Sequence, residues 1–172
     1  MAAAESTQDE LYQQAADAYG PALERLARSY EADPEIRRDL LQEIHIGLWR
    51  SMEAFDGRCS LRTWVYRVAH NIASSHVMRQ RRHNSRILVA LEELENMPDQ
   101  PVAPDADRRE AMERLAALIR QLNPLDRQVI LSYLEGMDAA SIGEITGLSP
   151  GNVATKIHRI KAILARRFQE EA

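Results

Sequence analysis

Three prolines, Pro98, Pro101 and Pro104, fall within an acidic stretch at residues 92–107 and divide this chain of 172 residues into two parts. Proline locks its own backbone angle and lacks an N–H group, so this density predicts that no regular helix runs through the stretch. The acidic side chains predict that it stays solvated. On both sides, apolar residues recur at helical spacing.

The pattern predicts an all-α protein. Aromatic residues make up only 5% of the chain, so the core must be mostly aliphatic, which favours helices over strands. We predict two small helical domains joined by an acidic, proline-containing linker. The predicted segments are a disordered N-terminus at 1–9, a first domain at 10–82, the linker at 83–107 with one short helix around 87–94, and a second domain at 108–172.

Charge is segregated along the chain. The formal net charge is −4, yet residues 51–88 carry 7 basic and 2 acidic side chains, and residues 151–172 carry 5 and 2. Local fields rather than the total charge steer a polyanion, so the acidic total does not exclude a nucleic-acid-binding protein.

Several classes of protein are disfavoured. Cys59 is the only cysteine, which excludes an intramolecular disulfide, and a tolerated thiol explains it better than an oxidant sensor does. The N-terminus lacks the pattern of a signal peptide, and no apolar run approaches the roughly 20 residues of a membrane span. There is no phosphate-binding glycine loop and no His/Glu zinc motif. We expect a cytoplasmic protein that is not an enzyme, with no cofactor, no metal and no membrane insertion.

The second part has the punctuation of a helix-turn-helix. Asn123 is a good helix N-cap and precedes a proline, Asp138 can cap the next helix, and Gly147 suits a left-handed turn position. Ser149 then precedes Pro150 at the start of the last helix. Two short helices, a tight turn and a capped second helix make up this motif.

The last helix has one apolar and one polar face. Val153, Ile157, Ile160 and Leu164 share one narrow sector at 100° per residue. Opposite them lie Gly151, Asn152, Thr155, His158, Arg159 and Arg166, with Lys156 and Lys161 at the edges. Side chains of these types can read base edges and phosphates in a major groove. The alternative is an ordinary solvated face, and the preceding turn and caps favour DNA reading.

A second basic helix is predicted at residues 60–82. Its apolar face includes Leu61 and Val65, and Thr63, Arg67 and His70 are predicted to project from the other face. Basic residues beside an aromatic residue suit partly melted or single-stranded DNA. Trp64 lies at the boundary, where it is either a core residue or a half-buried ring that presents one edge.

The helix at residues 37–52 has a less obvious surface. Leu40, Leu41, Ile44, Leu48 and Met52 form its apolar stripe. Ile46 lies among charged residues on the outer face. An exposed apolar group rimmed by charge often marks a protein contact, but scattered surface isoleucines are also common, and the pattern leaves both readings open.

These segments, in this order, resemble a bacterial RNA polymerase sigma factor of the sigma-70 family, extracytoplasmic-function (ECF) type. Residues 39–49 resemble the helix that binds the polymerase β′ clamp, and residues 55–71 with 79–82 resemble the segment that opens and reads the −10 promoter element. Residues 122–130 with 142–159 resemble the domain that reads the −35 element. The resemblance extends from about residue 19 to 168.

The resemblance implies a protein that joins core RNA polymerase, through the β′ clamp and β flap, and directs promoter recognition, melting and initiation. Its partners would be promoter DNA, as −35 duplex and −10 single strand, and an anti-sigma factor is a further candidate. The implied polymerase contacts are Asp39, Gln42, Glu43, Ile46 and Trp49. The implied −10 contacts are Arg58, Ser60, Arg62, Thr63, Trp64, Arg67, His70 and Asn71. The implied −35 contacts are Ser149, Asn152, Thr155, Lys156, His158 and Arg159.

Two positions depart from the family pattern. Ala154 stands where a lysine is common, which predicts weaker phosphate binding or a different −35 preference. His70 stands where an arginine is common, which predicts a weaker or pH-sensitive −10 contact.

Two rival functions remain. A stand-alone helix-turn-helix regulator would bind duplex DNA as a dimer without polymerase, but it leaves the first part without a purpose. A helical adaptor that binds only proteins would not need the cations of the last helix. In a free sigma factor, the two domains could also pack together with their DNA-facing surfaces hidden.

Overall fold

The computed structural model describes residues 2–87 and 104–170, and within them it has seven α-helices, one 3-10 turn and no strand. The first part consists of α1 (Ala2–Tyr30), α2 (Pro34–Ser51), a 3-10 turn (Met52–Ala54) and α3 (Leu61–Ile87). The second part consists of α4 (Pro104–Arg120), α5 (Pro124–Leu134), α6 (Ala139–Thr146) and α7 (Pro150–Glu170). The all-α prediction is confirmed.

Helix boundaries follow local chemistry. Asn123 accepts a hydrogen bond from the backbone N–H of Asp126, and Asp138 accepts one from that of Ser141, so both predicted caps are present. Gly147 ends α6 with φ of 78°, in the left-handed region that only glycine adopts at little cost. The predicted helix-turn-helix is therefore confirmed as α6 and α7.

Some helices extend into segments for which the sequence predicted a disordered terminus or a linker. Gln8 and Asp9 lie within α1, where disorder was predicted, and both bond to Trp49 across the helix pair. α3 continues to Ile87, and α4 begins at Pro104 because the first helical turn needs no N–H donor from proline. Residues 88–103 lie outside the described residues, and so does most of the short helix predicted around 87–94.

α3 is packed on two sides. α1 and α2 cover one side, and α5 and α6 from the second part contact the other. His70 lies between these layers, and Thr63 is also buried, so the prediction that both project from a polar face is wrong in this arrangement. Most side chains of α3 along the length that both layers cover are therefore buried or half-buried, although Asn71 is exposed.

Candidate nucleic-acid interface

The start of α7 carries the predicted polar face. Val153 and Ile160 are buried, whereas Asn152, Thr155 and His158 are exposed. Ser149 has a structural role here, because its Oγ accepts the backbone N–H of Asn152 at 3.3 Å and caps the helix. The helix thus presents donors and acceptors from its N-terminal half, where a major-groove helix contacts base edges.

The two cations of this face share one acidic partner. Lys156 Nζ lies 2.6 Å from Asp126 Oδ1, and Arg159 Nη2 lies 3.1 Å from Asp126 Oδ2. Asp126 was not recognised from the sequence as a site residue. The sequence shows that Asp126 lies three positions after Asn123. Its pairing with α7 cannot be read from the sequence, because it depends on how α5 and α7 pack.

The outer face of α2 is open. Asp39, Gln42, Ile46 and Trp49 are exposed, and they recur at three- and four-residue spacing along one side of the helix. Ile46 is 51% and Trp49 41% exposed, which is high for large apolar side chains. The indole Nε1 of Trp49 donates to Asp9 at 2.7 Å, so the ring is held in place.

Glu43 belongs to the same surface but is engaged by α3. Its carboxylate forms an ion pair with Arg79 and lies 3.5 Å from Nδ1 of the buried His76. Neither α3 residue was recognised as a neighbour of the α2 surface from the sequence. The only signal available was helical spacing, which does not reveal the partner of a surface carboxylate.

The loop before α3 holds two of the predicted −10 residues, and Trp64 follows in the first turn of α3. Arg58 is exposed and pairs with Asp56 at 2.8 Å. Ser60 caps α3 by accepting the backbone N–H of Thr63 at 3.1 Å. Trp64 is half-buried, and its Nε1 donates to Ser51 Oγ at 3.0 Å. The indole is therefore anchored to the bundle and also partly accessible.

Arg62 and Arg67 are bound to the second part. Arg62 donates to the carbonyl oxygen of Glu135, and Arg67 Nη2 donates to that of Glu144 at 2.8 Å. Among the predicted −10 residues, only Arg58, Ser60 and Asn71 are exposed. The remaining five lie wholly or partly under neighbouring side chains.

His70 lies at the junction of the two parts. It is 0% exposed, with Nδ1 2.9 Å from the Tyr30 hydroxyl and Nε2 3.3 Å from the Ser132 hydroxyl. Burial lowers the pKa of His70 to about 3, because the charged imidazolium would lose its hydration. The ring is therefore neutral at physiological pH in this arrangement.

The described residues contain neither a candidate metal site nor a candidate membrane-spanning helix. No group of three or more His, Cys, Asp or Glu side chains among them could hold a metal ion. Of the helices within 2–87 and 104–170, none is long and apolar enough to cross a membrane.

Two family profiles match the chain in succession. The profile described as Sigma-70 region 2 matches residues 15–83, which include α2 and most of α3. The profile described as Sigma-70, region 4 matches residues 112–164, which include α5, α6 and much of α7. Together the two matches span more than half of the chain.

Individual relatives agree over most of their length. The ECF RNA polymerase sigma factor SigX of Bacillus subtilis is 27% identical, over 94% of this chain and 85% of the relative. The ECF RNA polymerase sigma-E factor of Haemophilus influenzae is 28% identical, over 76% and 74%. The same fold occurs in CnrH, solved with the cytosolic domain of CnrY: the TM-score is 0.70 at 21% identity, covering 99% of this chain and 96% of that chain. It also occurs in RpoE of Bartonella quintana, solved with the anti-sigma factor NepR: the TM-score is 0.63 at 20% identity, covering 92% and 94%.

Proposed function

This chain belongs to the sigma-70 family of RNA polymerase sigma factors, in its ECF group, and we propose that it binds core polymerase and directs it to promoters. It acts by binding rather than by catalysis, since the polymerase carries out the chemistry. The supporting observation is that one chain carries both sigma-70 regions in order, each with an exposed surface suited to its task. A factor that serves the bacterial transcription machinery works in the cytoplasm.

For the polymerase we propose the outer face of α2. Ile46 and Trp49 supply apolar area, and Asp39 and Gln42 supply a polar rim. Aromatic and aliphatic anchors surrounded by polar groups are typical of protein interfaces. Glu43 completes this surface, oriented by its ion pair with Arg79.

For DNA we propose two elements. The exposed start of α7 enters the −35 major groove, with Ser149, Asn152, Thr155, Lys156, His158 and Arg159 on or beside the contact face. The loop before α3 and the helix itself take the −10 strand, with Arg58, Ser60, Arg62, Thr63, Trp64, Arg67, His70 and Asn71 as candidates. Stacking of a captured base on an aromatic ring contributes about 1–3 kcal/mol.

Promoter binding requires the two parts to separate. Elements 25 base pairs apart lie about 85 Å apart along B-DNA, at roughly 3.4 Å per base pair. Here α3 contacts α5 and α6 directly, and Arg62 and Arg67 are occupied by carbonyl groups of the second part. We infer that polymerase binding favours the separated form.

The rival regulator is not favoured. A dimeric helix-turn-helix protein binds a palindromic site without polymerase. It would have no use for a sigma-70 region 2 at residues 15–83. An anti-sigma factor is a further candidate partner, since the similar RpoE structure is a complex with NepR.

The test is abortive transcription by bacterial core polymerase on a pool of randomised promoters, with and without this protein. We expect transcripts that need the protein and that weaken at least tenfold with Asp39→Ala/Gln42→Ala. The matched control, Gln14→Ala/Asp17→Ala, removes the same residue types from the exposed face of α1 and should leave the yield unchanged. A salt-sensitive shift of duplex DNA by the protein alone, without polymerase-dependent transcripts, would favour the stand-alone regulator.

A further inference from the structure

A buried carboxylate lies between α5 and the recognition helix α7. The side chain of Asp126 is 6% exposed and receives three donors. Lys156 Nζ is 2.6 Å from Oδ1, while Arg159 Nη2 and Asn123 Nδ2 are 3.1 and 2.8 Å from Oδ2. Its backbone N–H also donates to Asn123 Oδ1 at 2.9 Å. The carboxylate is thus held on all sides.

Asp126 is ionised at neutral pH. Burial alone would raise the pKa of its carboxyl group, but hydrogen bonds from Lys156 and Asn123 and the nearby cations outweigh burial and lower that pKa. A buried charge is tolerated only when paired and hydrogen-bonded. Lys156 and Arg159 of α7 are therefore both tied to one fixed anion.

Lys156 and Arg159 differ in how much of each side chain remains available to contact DNA. Lys156 has a side chain only 23% exposed, and its ammonium makes the closer contact with Asp126. Arg159 is 58% exposed and uses one nitrogen of its guanidinium for Asp126. Its other N–H groups have no partner among the described residues. A guanidinium oriented in this way keeps a free edge for a base, and bidentate arginine contacts with guanine are the commonest base-specific contact.

We propose that Asp126 is a positioning residue for promoter reading, which withdraws Lys156 from phosphate contact and orients Arg159 toward a base edge. This inference rests on the proposed function of the protein. The helical wheel places Lys156 and Arg159 at neighbouring positions, yet their roles differ. Arg159 contacts a base edge, and Lys156 holds the carboxylate that orients Arg159.

A purely structural role for Asp126 predicts different effects of its replacement. If Asp126 only joins α5 to α7, its loss lowers stability but changes neither base preference nor salt dependence. If it positions Arg159 and sequesters Lys156, its loss frees one ammonium for the DNA backbone. Each additional phosphate contact steepens the slope of log affinity against log salt by about 0.9.

The experiment compares holoenzymes formed by core polymerase with the full chain, as wild type and as Asp126→Asn. Promoters randomised across the −35 element report base preference, and open-complex formation at several salt concentrations reports the slope. We expect Asp126→Asn to lose about tenfold discrimination at one −35 base pair and to steepen the slope by about one. Glu110→Gln, which removes an exposed carboxylate of α4 with no contact to Asp126, should match the wild type.

Lys156→Met is the second variant, because it leaves Asp126 paired with Arg159 and remains informative if Asp126→Asn does not fold. We expect its salt slope to equal that of the wild type, because Lys156 makes no phosphate contact, and its −35 base preference to weaken, because Asp126 loses the donor that holds it most closely. A slope shallower by about one would show Lys156 bound to a phosphate and would overturn the proposal. So would a folded Asp126→Asn with wild-type preference and slope.

If the proposed sigma-factor function itself is wrong, the transcription experiment gives a different result. If the wild-type protein yields no polymerase-dependent transcript from any promoter, the proposed function is overturned, and this inference falls with it. If the wild type initiates and discriminates at −35 while the variants behave as the structural role predicts, only the inference is overturned.

Discussion

Arg25 of α1 and Glu135 at the C-terminal end of α5 form a bidentate ion pair, with Nε–Oε1 and Nη2–Oε2 distances of 2.7 Å. The Tyr66 hydroxyl also donates to Glu135, at 3.4 Å. The backbone carbonyl of the same residue accepts from Arg62. One residue of the second part thus engages three side chains of the first.

Replacing Glu135 by Ala should shift the free protein toward the separated form. Arg25 is partly exposed, and such pairs contribute about 0.2–1 kcal/mol, so the population should change up to about fivefold. The radius of gyration from small-angle X-ray scattering should rise. Glu144→Ala is the control, since Arg67 bonds to its backbone carbonyl, which the substitution retains. Equal radii for both variants and the wild type would contradict a role for Glu135.

His70 should make stability depend on pH in a defined window. Its pKa falls from 6.5 to about 3 on burial, so below pH 6.5 the unfolded state binds a proton that the native state does not. Stability therefore falls as pH drops from 6.5 toward 3, by up to about 1.4 kcal/mol per pH unit from this group. Urea unfolding between pH 7.5 and 5 should show a shallower dependence in His70→Gln. Identical slopes for the two proteins would contradict the prediction.

Gly143 is required by the helix-turn-helix packing. A Cβ atom at this position would lie 2.5 Å from the carbonyl oxygen of Leu148, which is backbone and cannot rotate away. Gly143→Ala should therefore destabilise the protein by about 1–3 kcal/mol in urea unfolding. Gly151→Ala is the matched control: a Cβ there meets nothing within 4 Å, and alanine favours a helix. It should be neutral or slightly stabilising, and equal losses in both variants would rule out the packing explanation.

Ile46 should matter for binding and not for folding. Its side chain is half exposed on α2, so Ile46→Gln should change the free energy of unfolding by no more than about 0.5 kcal/mol. The affinity for core polymerase should nevertheless fall several-fold in a fluorescence titration. Met78→Gln, at another exposed apolar position, should leave that affinity unchanged. Unaltered binding by Ile46→Gln would identify Ile46 as a scattered surface residue.

Local signals in the sequence predict much of this fold. The caps at Asn123 and Asp138 and the left-handed turn at Gly147 lie where side-chain and backbone preferences require them. The apolar stripe of α2 is equally readable, because only one side of that helix is covered. Each of these features depends on residues within a few positions of one another.

Pairings between distant residues were not predictable in the same way. Asp126 meets Lys156 and Arg159 about thirty positions later, and Arg25 meets Glu135 at a separation of 110 residues. Ion pairs of this kind arise from the relative placement of helices, which helical spacing does not encode. The candidate site residues themselves remain predictions from the resemblance, and the structure adds which of them are engaged by neighbours.

The sequence by itself therefore determines the helical class, the turn chemistry and the order of the two sigma-70 regions, because each depends on short-range propensity and on motifs read along the chain. Only the tertiary structure decides which polar residues are accessible. Thr63 and His70 read as surface residues from periodicity, yet both are buried, and His70 contacts Tyr30 of α1 and Ser132 of α5. Periodicity reports the face that a helix turns toward its own bundle, and it contains no information on whether another part of the chain covers the opposite face.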